Sequence, residues 1–266
     1  MYSLALTHAD LRTIRLKITD FIKNTVDAAA AKGATVAMSG GVDSSVVARL
    51  AHDVVDVKAL ILPELGVTPQ EDIFHAIAIA ETYGIPYKLV KINNIINCIN
   101  TAKGLLEFSG GENQKVIIAN VKARVRMILS YAVANTENRI VLGTGNRTEL
   151  CVGYFTKYGD GGVDILPIGS LYKTHVYQLA AYLALPDYII KKAPSAGLWV
   201  GQTDEEELGI TYNDLDKILV GLDEGRSVEQ ITRDLGINKS KVIEVFERML
   251  QSKHKLEAPP IAKVWD

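Results

Sequence analysis

Short apolar runs alternate with segments of helical period through the first half of this chain, and that alternation limits the possible folds more than any single motif does. Leu11, Ile14, Ile18, Phe21, Ile22 and Val26 recur at spacings of three and four, which predicts an amphipathic helix stopped near Gly33. The period then changes. ATVAM, 34 to 38, reads as a strand buried on both faces, followed by a helix from near Ser44 that carries Val46, Val47 and Leu50 inward. VKALIL, 57 to 62, predicts a second buried strand. TPQED after it predicts a capping box, with Thr68 as N-cap, Pro69 at the first helical position and Glu71 at the third, opening a helix that runs to Gly84. YKLVKI, 87 to 92, predicts a third strand, and the helical stretch from Lys115 leads to a fourth at RIVLG, 139 to 143.

Strands separated by helices pair in parallel through right-handed crossovers. The expected fold class is α/β: a doubly wound parallel sheet with helices on both faces, followed by a helical C-terminal extension. Ligands of such sheets bind beyond the carboxyl ends of the strands, where SGGVDSS and GTGNRTE sit.

With 48% hydrophobic and 23% charged residues, the 266 residues suit a globular core. No repeat, low-complexity tract or linker divides them, so a single domain over 1–266 is expected. The balance of 29 basic to 31 acidic residues lacks the basic excess of a nucleic-acid binder. No apolar run approaches the ~20 residues of a membrane span, and MYSLALTHADLR lacks the features of a signal peptide, so a cytoplasmic protein away from membranes is expected. Cys98 and Cys151 are too few for a disulfide scaffold or zinc site and read as buried free thiols. His8, His52, His75 and His175 show no ligand spacing and read as surface or satisfied core residues.

SGGVDSS, 39 to 45, joins a buried strand to a helix, where unpaired N–H groups and the positive helix end can hold an anion and the glycines admit a phosphate. It has no Walker A lysine, and Asp43 sits inside the anion site. Carboxylate and phosphate repel unless a cation lies between them. That points to pyrophosphate with Mg²⁺ bridged by Asp43, against the bland reading of a tight turn with a solvent-facing aspartate.

Other residues carry two readings. Asn120, Lys122, Arg124 and Arg126 could form a solvated face opposite Val121, Val125 and Ile128, or Arg124 could grip a phosphate through two parallel bonds. Lys122 and Arg126 are expected at the surface or at an interface. Asp160 and Asp164 could close turns beside glycine, or Asp164 could meet substrate; Glu149 could cap a helix, or bind metal. His254 and Lys255 lie near a chain end, where side chains tolerate change.

SGGVDSS resembles the signature of the N-type ATP pyrophosphatases. NVKARVRM at 120 to 127, GTGNRTE at 143 to 149, YFTKYGDGGVDILPI at 154 to 168, PSAGLWVGQTDEEELG at 194 to 209 and HK at 254 to 255 resemble the NAD synthetase family in order and spacing. The resemblance spans essentially the whole chain. It implies an adenine nucleotide alpha hydrolase-like fold, with ATP as co-substrate on Ala37, Met38, Ser39, Gly40, Gly41, Val42, Asp43 and Ser44, together with Thr144, Lys173 and Ser195. It further implies Mg²⁺ on Asp43 and Glu149, a catalytic role for these two and Lys173, deamido-NAD on Arg124, Lys157, Asp164, His254 and Lys255, and a homodimer. Two departures stand out: Gly145 and Asn146 replace the acid and imidazole of the GTDHAAE found in many bacterial members, and Ser195 replaces a common threonine.

The reaction this implies begins when a nicotinate carboxylate oxygen attacks the α-phosphorus of ATP and pyrophosphate leaves into the SGGVDSS loop. Ammonia then displaces AMP. Water must be kept from the anhydride, so residues 194 to 209, with glycines at both ends and Leu198, Trp199 and Val200 between, read as a closing lid or else an ordinary loop. Only 33 residues precede the first expected strand, and neither cysteine has a neighbouring base, so ammonia and not glutamine is the expected donor, with no glutaminase domain. The alternatives are another AMP-forming ligase acting on a different carboxylate, or a nucleotide-binding regulator without turnover. Asp43 and Glu149, both intact, count against the regulator.

Overall fold

The computed structural model describes residues 4–101 and 114–264. Along them run α1 His8–Ala28, β1 Gly33–Ala37, α2 Val42–His52, β2 Val57–Ile61, α3 Gln70–Tyr83, β3 Tyr87–Leu89, α4 Asn93–Asn100, α5 Gln114–Glu137 and β4 Arg139–Leu142. Then follow α6 Arg147–Val152, α7 Lys173–Tyr182, α8 Asp187–Ile190, α9 Asp204–Leu208, α10 Tyr212–Asp223, α11 Val228–Leu235, α12 Lys239–Ser252 and a 3₁₀ turn Lys253–Lys255.

The strands form one parallel sheet in the order β3-β2-β1-β4, with Ala34 beside Val57 and Val36 beside Leu142. Alternate strand residues serve opposite layers. Ala34, Val36, Val57, Ala59 and Ile61 pack with Ile22, Val46, Val47, Leu50, Ile79 and Leu179 on one face. Leu60 and Leu62 pack with Ile92, Ile96 and Val125 on the other. Each such large side chain, fully buried, contributes ~1.5–3 kcal/mol to folding.

From β1 the chain steps outward through α2 to β2 and through α3 to β3, then returns by α5 to the opposite side of β1. The direction of winding therefore reverses between β1 and β4, which opens a crevice at their carboxyl ends. A separate apolar cluster of Val152, Tyr172, Leu215, Ile218, Ile231, Val242 and Val245 joins α6 to α10, α11 and α12, giving the expected helical C-terminal layer.

Four expectations change. Pro69, not Thr68, is the N-cap of α3, and no side chain caps that helix. The Thr68 hydroxyl instead accepts from the Glu64 N–H at 3.0 Å and closes the preceding turn, so the capping box does not form. The third strand is short and exposed, although Val90 and Ile92 still donate to β2-side carbonyls beyond its end. Cys98 is exposed and Cys151 half-buried, so neither is a fully buried thiol. His75 is buried and stacked on Tyr188, but its Nδ1 has no hydrogen-bond partner. Among the described residues no helix is long and apolar enough to cross a membrane.

Candidate active site

Two loops meet at the crevice. The one after β1 depends on Gly40, whose φ of 79° suits glycine and where a Cβ would lie 2.2 Å from the Asp72 carbonyl oxygen. That close approach seats the loop against α3. Ser44 and Ser45 donate their hydroxyls back to the Gly41 carbonyl at 3.1 and 2.8 Å, and no side chain caps the first turn of α2. The loop after β4 ends at Asn146, which caps α6 in a reciprocal box with Glu149.

α7 supplies the charge between these loops. Lys173, its first residue and 2% exposed, puts Nζ 2.5 Å from Asp43 Oδ2 and 3.4 Å from Glu149 Oε1. The rings of Tyr212 and Tyr177 stand 5.0 and 6.0 Å from the same nitrogen. Burial works against the Lys173 ammonium, yet the two carboxylates outweigh it and hold its pKa above the ordinary lysine value. Burial also pushes Glu149 up to about 8, with Asp43 adding to the rise and Lys173 opposing it.

The surrounding cavity, of about 420 Å³, lies within the size range of small-molecule sites. Every residue expected to hold ATP lines it except Gly40, as does Glu149. The residues expected to hold deamido-NAD are distributed differently: only Lys255 lines the cavity. Arg124 Nη2 donates to the Lys157 carbonyl at 3.3 Å, and Lys157 Nζ donates to the carbonyls of His254 at 2.5 Å and Glu257 at 3.1 Å. Arg124, Lys157 and His254 thus form one linked cluster that does not line the cavity. Asp164 stands apart from them, accepting from the Tyr131 hydroxyl at 2.8 Å and the Val141 N–H at 2.7 Å.

Lys122 and Arg126 are not the surface residues that their helical spacing suggested. Lys122 is 6% exposed, paired with Glu64 at 2.7 Å, and it donates to the Leu198 carbonyl at 2.8 Å. Arg126 lines the cavity and donates from Nε to the Leu62 carbonyl at 3.1 Å. Burial pulls its pKa down, and Glu64 and Asp160 act the other way. Three further residues of the site escaped the sequence reading, two of them, Lys192 and Asp204, in the cavity lining. Lys192 pairs with Asp72 at 2.5 Å beside Gly40, buried Asp204 accepts from the hydroxyls of Tyr154 and Tyr212 at 3.1 Å, and Asn146 joins both carboxylates. Asn146 was visible only as a departure from GTDHAAE, and the other two carried no signal of period or spacing.

A hard divalent cation suits these donors. Asp43 and Glu149 offer carboxylate oxygens on adjoining loops, and proximity to Asp43 adds to the cost of ionising Glu149, a repulsion that a cation would relieve. No group of three or more His, Cys, Asp or Glu that could hold a metal occurs among the described residues, so a cation here would need phosphate or water oxygens as well, as Mg²⁺ commonly does.

The NAD synthase family model matches residues 14–259. The NH3-dependent NAD(+) synthetase of Archaeoglobus fulgidus is 49% identical over 255 residues, covering 94% of this chain and 96% of the relative. The NMN synthetase structure from Francisella tularensis aligns with a TM-score of 0.83 at 31% identity, covering 97% of this chain and 99% of its own. The NH3-dependent NAD synthetase from Campylobacter jejuni, solved with nitrate ion, aligns with a TM-score of 0.79 at 29% identity, covering 96% and 99%. With a crevice at the sheet's reversal, a glycine loop bearing Asp43 and near full-length similarity to these proteins, the chain belongs to the NAD synthase family.

Proposed function

We propose that the chain amidates deamido-NAD to NAD with ammonia and ATP, through an adenylylated nicotinate carboxylate, releasing AMP and pyrophosphate. The observation that carries this reading is the Asp43–Lys173–Glu149 cluster at the mouth of the β1 loop, in a cavity lined by nearly all the residues expected to hold ATP.

The chain's own residues do the work of alignment and charge neutralisation. The loop of residues 39 to 45 receives the pyrophosphate end of ATP, and the free first-turn N–H groups of α2 suit its charge. A nicotinate carboxylate oxygen attacks the α-phosphorus as the bond to the β-phosphate oxygen breaks. Lys173 neutralises charge on the departing pyrophosphate. Asp43 and Glu149 would hold Mg²⁺, which when bound supplies Lewis-acid stabilisation of the same charge. Ammonia then adds to the activated carbonyl carbon and AMP leaves. The 194–209 segment keeps water away from the anhydride.

The linked Arg124, Lys157 and His254, with Lys255 and Asp164, are proposed as the deamido-NAD side. The family resemblance also leads us to propose a homodimer. We take residues 1–266 as one synthetase unit.

The test is pyrophosphate and NAD formation from ATP, ammonium and deamido-NAD, run beside nicotinate mononucleotide because one structural neighbour is an NMN synthetase. Arg124→Ala and Lys157→Ala are expected to raise the KM for deamido-NAD far more than that for ATP, since losing a charge-assisted contact costs ~1.5–3 kcal/mol. Pyrophosphate release that ignores both acids would point to another AMP-forming ligase, and no release at all to a regulator.

A further inference from the structure

Asn146 is 0% exposed and touches both site carboxylates. Its Nδ2 donates to Asp43 Oδ1 at 3.0 Å, its Oδ1 accepts from the Glu149 N–H at 3.0 Å, and its own N–H donates to Glu149 Oε2 at 3.2 Å. One oxygen of each carboxylate is thereby held. The other oxygens, Asp43 Oδ2 and Glu149 Oε1, both face the Lys173 ammonium.

Helix capping accounts for two of these bonds, because an N-cap side chain accepts from the third residue and an acid there returns the favour. It does not account for the bond to Asp43. That bond ties the loop after β1 to the loop after β4, across 103 positions of sequence, at the reversal of the sheet. An asparagine amide carries an acceptor and two donors on one planar group, so a single residue can cap and tether together. A serine hydroxyl caps as well, but it is one atom shorter and its single hydrogen points one way.

We propose that Asn146 is a positioning residue for the divalent cation: its amide fixes the Asp43 carboxylate so that Asp43 and Glu149 each turn their second oxygen toward a common point, the one the Lys173 ammonium faces. Without the tether, Asp43 is free to turn both oxygens toward Lys173 and the pair loses its shared direction. The proposal rests on the assignment of Asp43 and Glu149 as cation ligands.

The test uses Mn²⁺ as the probe, titrated into the whole chain without nucleotide and followed by the paramagnetic resonance of the free ion, with Tm measured alongside. Asn146→Ser keeps a good cap and is expected to hold the wild-type Tm closely while weakening Mn²⁺ about ten-fold or more, the usual effect of removing a partner behind a metal ligand. Asn146→Gly, also tolerated as a cap, is expected to weaken Mn²⁺ equally. In an Asp43→Ala background, Asn146→Ser is expected to add little, because its effect passes through Asp43. Mn²⁺ affinity within two-fold of wild type in the folded Asn146 variants, while Asp43→Ala weakens it, would overturn the positioning role and leave the cation site standing. Unchanged affinity in Asp43→Ala would remove the cation assignment itself. Loss of the fold in both Asn146 variants would make the residue structural and overturn the proposal too.

Discussion

Lys173 stands between two carboxylates and two tyrosine rings, so the site carries its own counter-charge before any nucleotide arrives. One lysine cannot equally satisfy both acids, and its distances of 2.5 Å to Asp43 and 3.4 Å to Glu149 show which it favours. Glu149 keeps the weaker partner, and its burial pushes its pKa from 4.5 up to about 8. The folded chain therefore retains a proton that the unfolded chain loses above pH 4.5. Glu149's contribution to stability is full below that pH and is lost as pH rises through the folded value of about 8. Glu149→Gln mimics the protonated acid. In the absence of cation and nucleotide, its Tm should stay near wild type at pH 4.5 and exceed it increasingly toward pH 8, while pyrophosphate release is lost throughout. Thermal melts across that range, with an activity assay at each end, check the prediction. Melting curves that stay parallel would mean that Glu149 is ionised in both states.

Segment 194–209 shows how much a sequence can say about an element and where it stops. Its glycines at 197, 201 and 209, with φ of 61°, 76° and 66°, were legible as points of turning. Its anchors were not, because the groups that pin it, Lys122 on α5 and the two tyrosines that hold its own Asp204, lie outside it. Lys122 reaches it from α5, and Asp204 holds the Ala196 N–H at 2.9 Å while Tyr154 and Tyr212 hold Asp204. The buried strands and the helices around them were legible for a related reason: their apolar period is local. Thr68 was misread because two local turns competed for one hydroxyl, and Lys122 and Arg126 because a charged face looks alike whether it meets water or a cavity. Lys122→Met keeps the length of the side chain and removes the donor. Its expected effect is faster amide exchange over 197–203 with little change in α5, and in wild type ATP with deamido-NAD should slow exchange over 197–209. Equal exchange in the variant and wild type would mean that Lys122 does not restrain the segment, and equal exchange with and without ligands would mean a static loop.

At the scale of the whole molecule, the sheet's reversal fixes one crevice, and the nitrogen donor must reach it. Glutamine would have to be hydrolysed by an activated cysteine first, since the amide nitrogen is a poor nucleophile until released. Cys151 is half-buried, and burial raises its thiol pKa even though Arg147 acts the other way, the opposite of activation. Cys98 is exposed on α4 and lies outside the cavity lining. Among the described residues neither thiol is hydrogen-bonded to the base that a glutaminase nucleophile needs, so the isolated chain should form NAD from ammonium salts and not from glutamine. Free NH₃ is the nucleophile and its conjugate acid predominates at neutral pH. At fixed total ammonium and saturating ATP and deamido-NAD, the rate should therefore rise between pH 7 and 9. The charge of Lys173 should persist across that interval, because its carboxylates hold its pKa above the ordinary lysine value. Replotting the rates against calculated free NH₃ should collapse much of the rise onto one saturation curve, whereas a rate that follows total ammonium would place the proton's removal inside the site. Comparable rates with ammonia-free glutamine as sole donor would overturn the dependence on ammonia while leaving the adenylylation chemistry, and the residues argued to carry it, untouched.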